Sequence, residues 1–234
     1  MKLEKIKNFI VEWISDYASK NGIEHLIVGV SGGIDSALTS TLCAMTNIAT
    51  TVVSLPINQS KNELKNASKH MNWLSQNYKN ITITTIELSE VFKKYQTTIP
   101  KNYHSDLGFA NTRSRMRMMI LYQIASRHNG IVVGTGNKIE DFGIGFFTKY
   151  GDGGVDVSPI ADLTKSEVRK LSIFCGITPD IIKSKPTDGL WEDGRTDEDQ
   201  IGATYKELEW AMNYKHKKIL TLREKKVLSI YNNL

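Results

Sequence analysis

Residues 26–38, LIVGVSGGIDSAL, change character twice within one short stretch. Leu26–Val30 is a solid apolar run, short enough to be a strand buried on both faces. Ser31-Gly32-Gly33 breaks it in a tight turn, and from Asp35 to Met45 the pattern is that of a helix. Outward from this βα unit the alternation continues. Thr50–Leu55 is a second strand, Ser60-x-x-Glu63 is a capping box opening a helix to about Asn77, and Ile81–Leu88 is a third β-rich run. Thr112–His128 is a Met- and Arg-rich helix stopped by Asn129-Gly130, and Ile131–Gly134 is a fourth strand. Before the first strand, Leu3, Ile6, Phe9/Ile10, Trp13/Ile14 and Tyr17 recur at helical spacing over residues 2–20. After the fourth, a glycine-rich stretch runs from Gly143 to Gly154. Thr164-x-x-Glu167 then caps a helix ending at Gly176, and Thr221-x-x-Glu224 caps the last one.

Strands alternating with helices predict an α/β fold, a Rossmann-like parallel sheet with helices on both faces. No linker or internal repeat divides residues 1–234, so a single domain is expected. The composition, 40% hydrophobic and 24% charged, is that of a globular chain and excludes wholesale disorder. Two cysteines, Cys43 and Cys175, are too few for a zinc cluster or a disulfide framework. The charged N-terminal helix lacks the apolar core of a signal peptide, and no run of about 18 apolar residues suits a membrane span. A soluble protein of the cytoplasm is the expectation.

A net charge of +5 first suggests nucleic acid. Six of the basic residues and one acid lie in residues 211–234, which leaves a neutral body and a basic tail. The tail reads as a solvated helix, or as an aid to binding a dinucleotide, so no nucleic-acid partner is expected.

The turn carries the chemistry. Its glycines let backbone approach a ligand closely, and its N–H groups at a helix N-terminus suit phosphate oxygens. Ser31 and Ser36 add hydroxyls. Asp35 would repel phosphate unless Mg2+ lay between them, so a carboxylate here argues for a metal-bound pyrophosphate. The plainer reading is a Gly-Gly turn with Asp35 as a helix-start residue. No Walker A or dinucleotide-binding glycine fingerprint occurs.

Ser31–Ser36 resembles the pyrophosphate loop of the ATP pyrophosphatases, and thus an adenine nucleotide alpha hydrolase-like fold. The resemblance implies cleavage of ATP between its α and β phosphates and adenylation of a substrate oxygen. A second stretch, Gly134-Thr135-Gly136-Asn137-Lys138-Ile139-Glu140 followed by GFFTKYGDGGVD (145–156), is similar to ammonia-dependent NAD synthetases. That family implies ATP-driven amidation of deamido-NAD by ammonia, giving NAD, AMP and pyrophosphate, with Mg2+. It also implies a homodimer with substrate at the interface, for which helices 2–20 and 112–128 are candidates. With no room for an attached glutaminase, free ammonia is the expected nitrogen source.

By the same resemblance Gly29, Val30, Ser31, Gly32, Gly33, Ile34, Asp35 and Ser36 would hold ATP, with Thr135, Lys165 and Thr187. Asp35 and Glu140 would bind metal. Arg115, Lys149 and Asp156 would contact deamido-NAD. Asp152 is the candidate for the ammonium pocket, because a carboxylate attracts ammonium and can take its proton. Asp35, Asp152 and Lys165 are the residues expected to carry catalysis. The duller readings are a solvated face for Arg113, Arg115 and Arg117, a macrodipole role for Glu140, and packing for Phe146-Phe147. Lys165 sits at a helix N-terminus, where a cation is unfavourable unless an anion lies near.

The acidic stretch 187–199, TDGLWEDGRTDED, reads as an exposed loop that could close as a lid over the adenylate, tied to ATP by Thr187. Two departures stand out. The spacing from Glu140 to Gly145-Phe146-Phe147 is one residue longer than in the commonest family members. The only His-Lys pair, His216-Lys217, precedes the last predicted helix, where the family has one after it. The rival readings are a tRNA-modifying pyrophosphatase of the same superfamily and a non-catalytic adenine-nucleotide sensor.

Overall fold

The structure is a computed structural model and describes residues 2–187, 189–191, 195–215 and 219–233. Its sheet has four parallel strands, β1 (His25–Gly29), β2 (Ala49–Ser54), β3 (Ile81–Thr85) and β4 (Gly130–Val132), in the order β3-β2-β1-β4. Ile27 pairs with Thr51 on one side and Val132 on the other. This is the expected Rossmann-like α/β architecture.

Period-two alternation sorts the strand residues between layers. Leu26, Val28, Ile131 and Val133 face α1 (Leu3–Lys20), α2 (Ile34–Met45), α6 (Lys165–Phe174) and α7 (Pro179–Lys183). On that side Val52 meets α3 (Lys61–Asn77) through Ala67, Met71 and Leu74. Ile27, Val53 and Val132 face the other way, onto α4 (Ser89–Thr98) and α5 (Asp106–Arg127), where Phe92 and Leu121 are buried. The apolar stripe of α1 is largely used inside the chain, with Ile10 and Ile14 buried and Phe9 and Trp13 left exposed.

A smaller core forms beyond β4. It joins α8 (Asp197–Ile201), α9 (Tyr205–Met212) and α10 (Leu222–Asn233) to the turn Ile139–Ile144. The basic tail therefore docks rather than trails, with Val227 buried and Arg223 making a two-pronged ion pair to Glu207 at 2.6 and 2.7 Å. Among the described residues no helix is long and apolar enough to cross a membrane.

Several expectations need correction. The helix expected over 112–128 starts at Asp106, because Ser105 caps it by accepting from the Gly108 N–H at 3.0 Å. The run 81–88 ends as a strand at Thr85, although Ile86 and Leu88 still donate to Ser54 and Pro56 while the chain curls away. The acidic stretch is not all exposed loop. Its last residues enter α8, where Thr196 and Asp199 form a capping box, and Asp197 is only 5% exposed. Asp188, Glu192, Asp193 and Gly194 lie outside the described residues, as do His216 and Lys217.

The strand order reverses direction at β1, whose neighbours are β2 and β4. In open parallel sheets a ligand crevice opens at the carboxyl ends of strands flanking such a switch point. Gly29–Ser31 and Gly134–Thr135 leave the sheet there.

Candidate active site

At that point lies a cavity of about 400 Å3, within the range of small-molecule sites. Residues from the Ser31–Ser36 turn, the end of β4, α5, the 145–152 loop and segment 184–191 line it. The turn is held by its own side chains. Ser36 Oγ donates to the Gly33 carbonyl at 3.0 Å, and lies 3.1 Å from Ser31 Oγ, which accepts from the Gly33 N–H at 3.2 Å. Gly32 is bare for a different reason from the one its sequence context suggests. Its φ is +91°, and a Cβ would lie 2.6 Å from the Glu63 carbonyl oxygen and 2.9 Å from the Ala67 nitrogen. The close approach made possible here is to α3.

Lys165, 130 residues along the chain from Asp35, reaches Asp35 Oδ2 at 2.6 Å and Glu140 Oε1 at 2.9 Å. These two carboxylates supply the anions that make a cation tolerable at the start of α6. The α6 cap fixes the stem of this lysine, through a box between Thr164 and Glu167 and a bond from the Ser166 N–H to Glu209 at 2.7 Å. Burial would depress the ammonium's pKa, but the two carboxylates overcome it and hold it well above the usual lysine range. Lys165 is thus a fixed positive charge. Burial raises the Asp35 carboxyl against the pull of Lys165. At Glu140 burial is outweighed by Lys165 and the Tyr205 hydroxyl, and the carboxyl is held below its ordinary value.

Three members of this network went unnoticed in the sequence. Asn137, fully buried, donates to Asp35 Oδ1 at 3.1 Å and accepts from the Ile139 and Glu140 N–H groups. Tyr205 meets Glu140 Oε1 at 2.5 Å and Asp197 Oδ2 at 3.0 Å. The Asn137 signal was present in GTGNK but reads as a turn residue. The Tyr205 signal was Thr204-x-x-Glu207, a capping box like those already used.

Between Glu140 and Gly145 the chain forms a π turn. Residues Ile139–Ile144 wind with i→i+5 bonding, which accommodates one residue more than an α turn, and Gly145 at φ +64° ends it. Ile139 and Ile144 face the smaller core, while Glu140 and Asp141 line the cavity. Burial and the neighbouring carboxylates push Asp141 up to about 6.

On the opposite wall, Asp152 Oδ1 accepts from Ser114 Oγ at 2.6 Å and from the Thr148 N–H at 3.1 Å. Gly151 allows this approach, since a Cβ there would lie 2.3 Å from Ser114 Oγ. Loss of water around it raises the Asp152 carboxyl above its usual value, against the opposing hydrogen bonds.

Asp35, Thr135, Glu140, Asp152, Lys165 and Thr187 therefore share one cavity, and so do Gly29, Val30, Ser31, Gly33, Ile34 and Ser36. Arg115, Lys149 and Asp156 do not line it. Arg115, exposed, donates to the Lys149 carbonyl at 3.0 Å, and the Lys149 ammonium lies over the Tyr150 ring. The Asp156 carboxylate accepts from the Val132 N–H at 2.7 Å and from Tyr122 OH at 3.1 Å, so it closes the edge of β4. Arg113, Arg115 and Arg117 of α5 are not one solvated face. Arg113 is buried and donates to the Leu190 carbonyl at 2.7 Å, while Arg117 lines the cavity and donates to the Leu55 carbonyl and to Gln59. Phe146 packs in the smaller core, and Phe147 is 44% exposed at the cavity.

Among the described residues no group of three or more His, Cys, Asp or Glu side chains is arranged to enclose a metal ion. Asp35 and Glu140 nevertheless fit a hard divalent cation. They are two mostly buried carboxylates gathered around a single positive group, and Mg2+ commonly takes only one or two carboxylates, completing its shell with phosphate oxygens and water.

Comparison with known proteins gives the family and the fold. The model of the NAD synthase family matches residues 6–230. An NH3-dependent NAD+ synthetase of Methanococcoides burtonii is 39% identical over 216 residues, 89% of this chain and 78% of the relative. One from Methanosarcina acetivorans is 40% identical over 88% of this chain and 79% of its own. Among solved structures, the NMN synthetase of Francisella tularensis superposes with a TM-score of 0.89 at 30% identity, covering all of this chain and 94% of that one. An NH3-dependent NAD synthetase of Campylobacter jejuni, 24% identical with a TM-score of 0.78, shares the fold.

Proposed function

Because the chain belongs to the NAD synthase family and is a ligase serving NAD biosynthesis by amidation, we propose that it joins ammonia to the nicotinate carboxylate of deamido-NAD at the expense of ATP. The observation that carries this reading is the Asp35–Lys165–Glu140 cluster at the phosphate-binding turn, with Asp152 in the same cavity. A carboxylate anion is a poor electrophile and oxide a poor leaving group. In the first step a carboxylate oxygen attacks the α-phosphorus of ATP, the bond to the β-phosphate oxygen breaks, and pyrophosphate leaves. In the second, ammonia attacks the acyl carbon and AMP leaves, carrying the carboxylate oxygen with it.

The turn N–H groups and Thr135 are placed to orient the nucleotide, and Lys165 to offset charge on the departing pyrophosphate. Asp35 and Glu140 would hold Mg2+, which when bound supplies charge neutralisation at the phosphates. Asp152 attracts ammonium and accepts its proton, a role its raised carboxyl suits. A lid that excludes water from the adenylate belongs to the same proposal, since Thr187, Leu190 and Trp191 line the cavity. A homodimer belongs to the same proposal, since exposed Arg115 and Lys149 would meet a dinucleotide only outside the cavity. A cytoplasmic location belongs to it as well.

A second reading keeps the chemistry and shortens the substrate to nicotinate mononucleotide. It is favoured by the likeness to the Francisella tularensis NMN synthetase and by Asp156, whose carboxylate is already committed to β4 and Tyr122. Steady-state assays with ATP, Mg2+ and ammonium against each acid separate the two. Stoichiometric AMP and amide, with the higher kcat/KM on deamido-NAD, support the first reading. A higher kcat/KM on the mononucleotide selects the second, and AMP formed only with tRNA overturns both.

A further inference from the structure

Tyr205 is 4% exposed, and its position in the network differs from that of any other side chain. Its hydroxyl lies between Glu140 Oε1 and Asp197 Oδ2, and the Lys165 ammonium stands 4.5 Å from the centre of its ring. Asp197 is itself held by the fold, in the first turn of α8, with its N–H donating to the Pro186 carbonyl at 3.1 Å. Tyr205 and Lys165 both bond the same oxygen of Glu140. Two donors converging on Oε1 from different helices fix the rotation of the carboxylate and leave Oε2 outside both bonds. The second donor is neutral. A cation in its place would cancel the charge that Glu140 and Asp35 share, whereas a phenol orients the carboxylate and leaves the cluster with an excess of negative charge.

We propose that Tyr205 is the positioning residue for Glu140 as a cation-binding carboxylate. This rests on the reading above in which Asp35 and Glu140 hold a divalent cation. Tyr205 touches no reacting atom in this account; it acts through Glu140. A purely structural role would lie in its ring, which packs in the core with Leu208 and Ala211.

Tyr205→Phe separates the two roles, because it keeps the ring and removes the hydroxyl. Mn2+ binding to the full chain, read by electron paramagnetic resonance in the presence of ATP and without acyl substrate, is the primary measurement. Loss of one hydrogen bond to a charged group should weaken Mn2+ about tenfold, with the protein still folded and melting roughly 3–6 °C lower. KM for Mg2+ should rise in parallel and KM for ammonium should stay within about twofold. Unchanged Mn2+ affinity in the folded Tyr205→Phe protein overturns the proposal, as does an equal rise in the KM for ammonium. Mn2+ binding without amide formation by the wild type would overturn only the proposed function, whereas a wild type that binds no Mn2+ with ATP would overturn both.

Discussion

Replacing Lys165 by Met removes the cation that bonds both Asp35 and Glu140 while keeping a long apolar stem. In the wild type the ammonium lies 2.6 and 2.9 Å from these carboxylates, and the lysine and both acids have side chains only 11–15% exposed. Breaking a buried ion pair from one side costs about 3–5 kcal/mol, because the remaining charge has neither water nor partner. For a domain of this size each kcal/mol moves the melting temperature by roughly 2–4 °C, so Lys165→Met should melt roughly 6–20 °C lower at pH 8. Two further signs follow from the cause. Lowering the pH to 5 should recover part of the loss, because protonation relieves the unpaired carboxylates. Millimolar Mg2+ should also recover part of it, because a divalent cation replaces the missing charge. Calorimetric melts at both pH values, with and without Mg2+, measure all three effects. A variant that melts within about 2 °C of wild type and ignores both pH and Mg2+ would refute the electrostatic account of this cluster.

Asp141→Asn should stabilise the protein at neutral pH. Its carboxyl is raised from 3.8 to about 6, so ionisation opposes folding, and the gain should be constant above pH 6 and vanish between pH 6 and 4 in a melting series. Gly32→Ala should cost at least about 2 kcal/mol in urea denaturation, since the added Cβ meets the α3 backbone at a φ that disfavours side chains. Asp152→Asn should lower kcat/KM for ammonium about 100-fold and leave the dissociation constant of ATP within about twofold, read by ammonium titration and calorimetry.

The sheet was legible because β1 is a compact apolar run stopped by glycines and β2 and β3 are β-branched runs between turn residues, although β3 ends three residues earlier than expected. Three helices announced themselves by capping boxes at Ser60, Thr164 and Thr221. α4 was not foreseen, because one buried residue, Phe92, gives no periodicity to count. The cluster at the turn was half legible. Asp35, Glu140 and Lys165 stand in recognisable motifs, but Tyr205 meets Glu140 across 65 residues, and no local pattern reports such a contact. Asp197 was hidden among neighbouring acids, since a run of charge reads as solvated and gives no sign that one member is buried. The spacing after Glu140 was visible as a count, but its form as a π turn came only with the fold.

The central claim is that this cavity makes an acyl-adenylate, and the fate of the carboxylate oxygen tests it most directly. Deamido-NAD labelled with 18O in its nicotinate carboxylate, incubated with the protein, ATP, Mg2+ and ammonium, should yield AMP carrying one 18O per amide formed, and unlabelled pyrophosphate, by mass spectrometry. Amide formed with 18O in pyrophosphate or inorganic phosphate, and none in AMP, would contradict it.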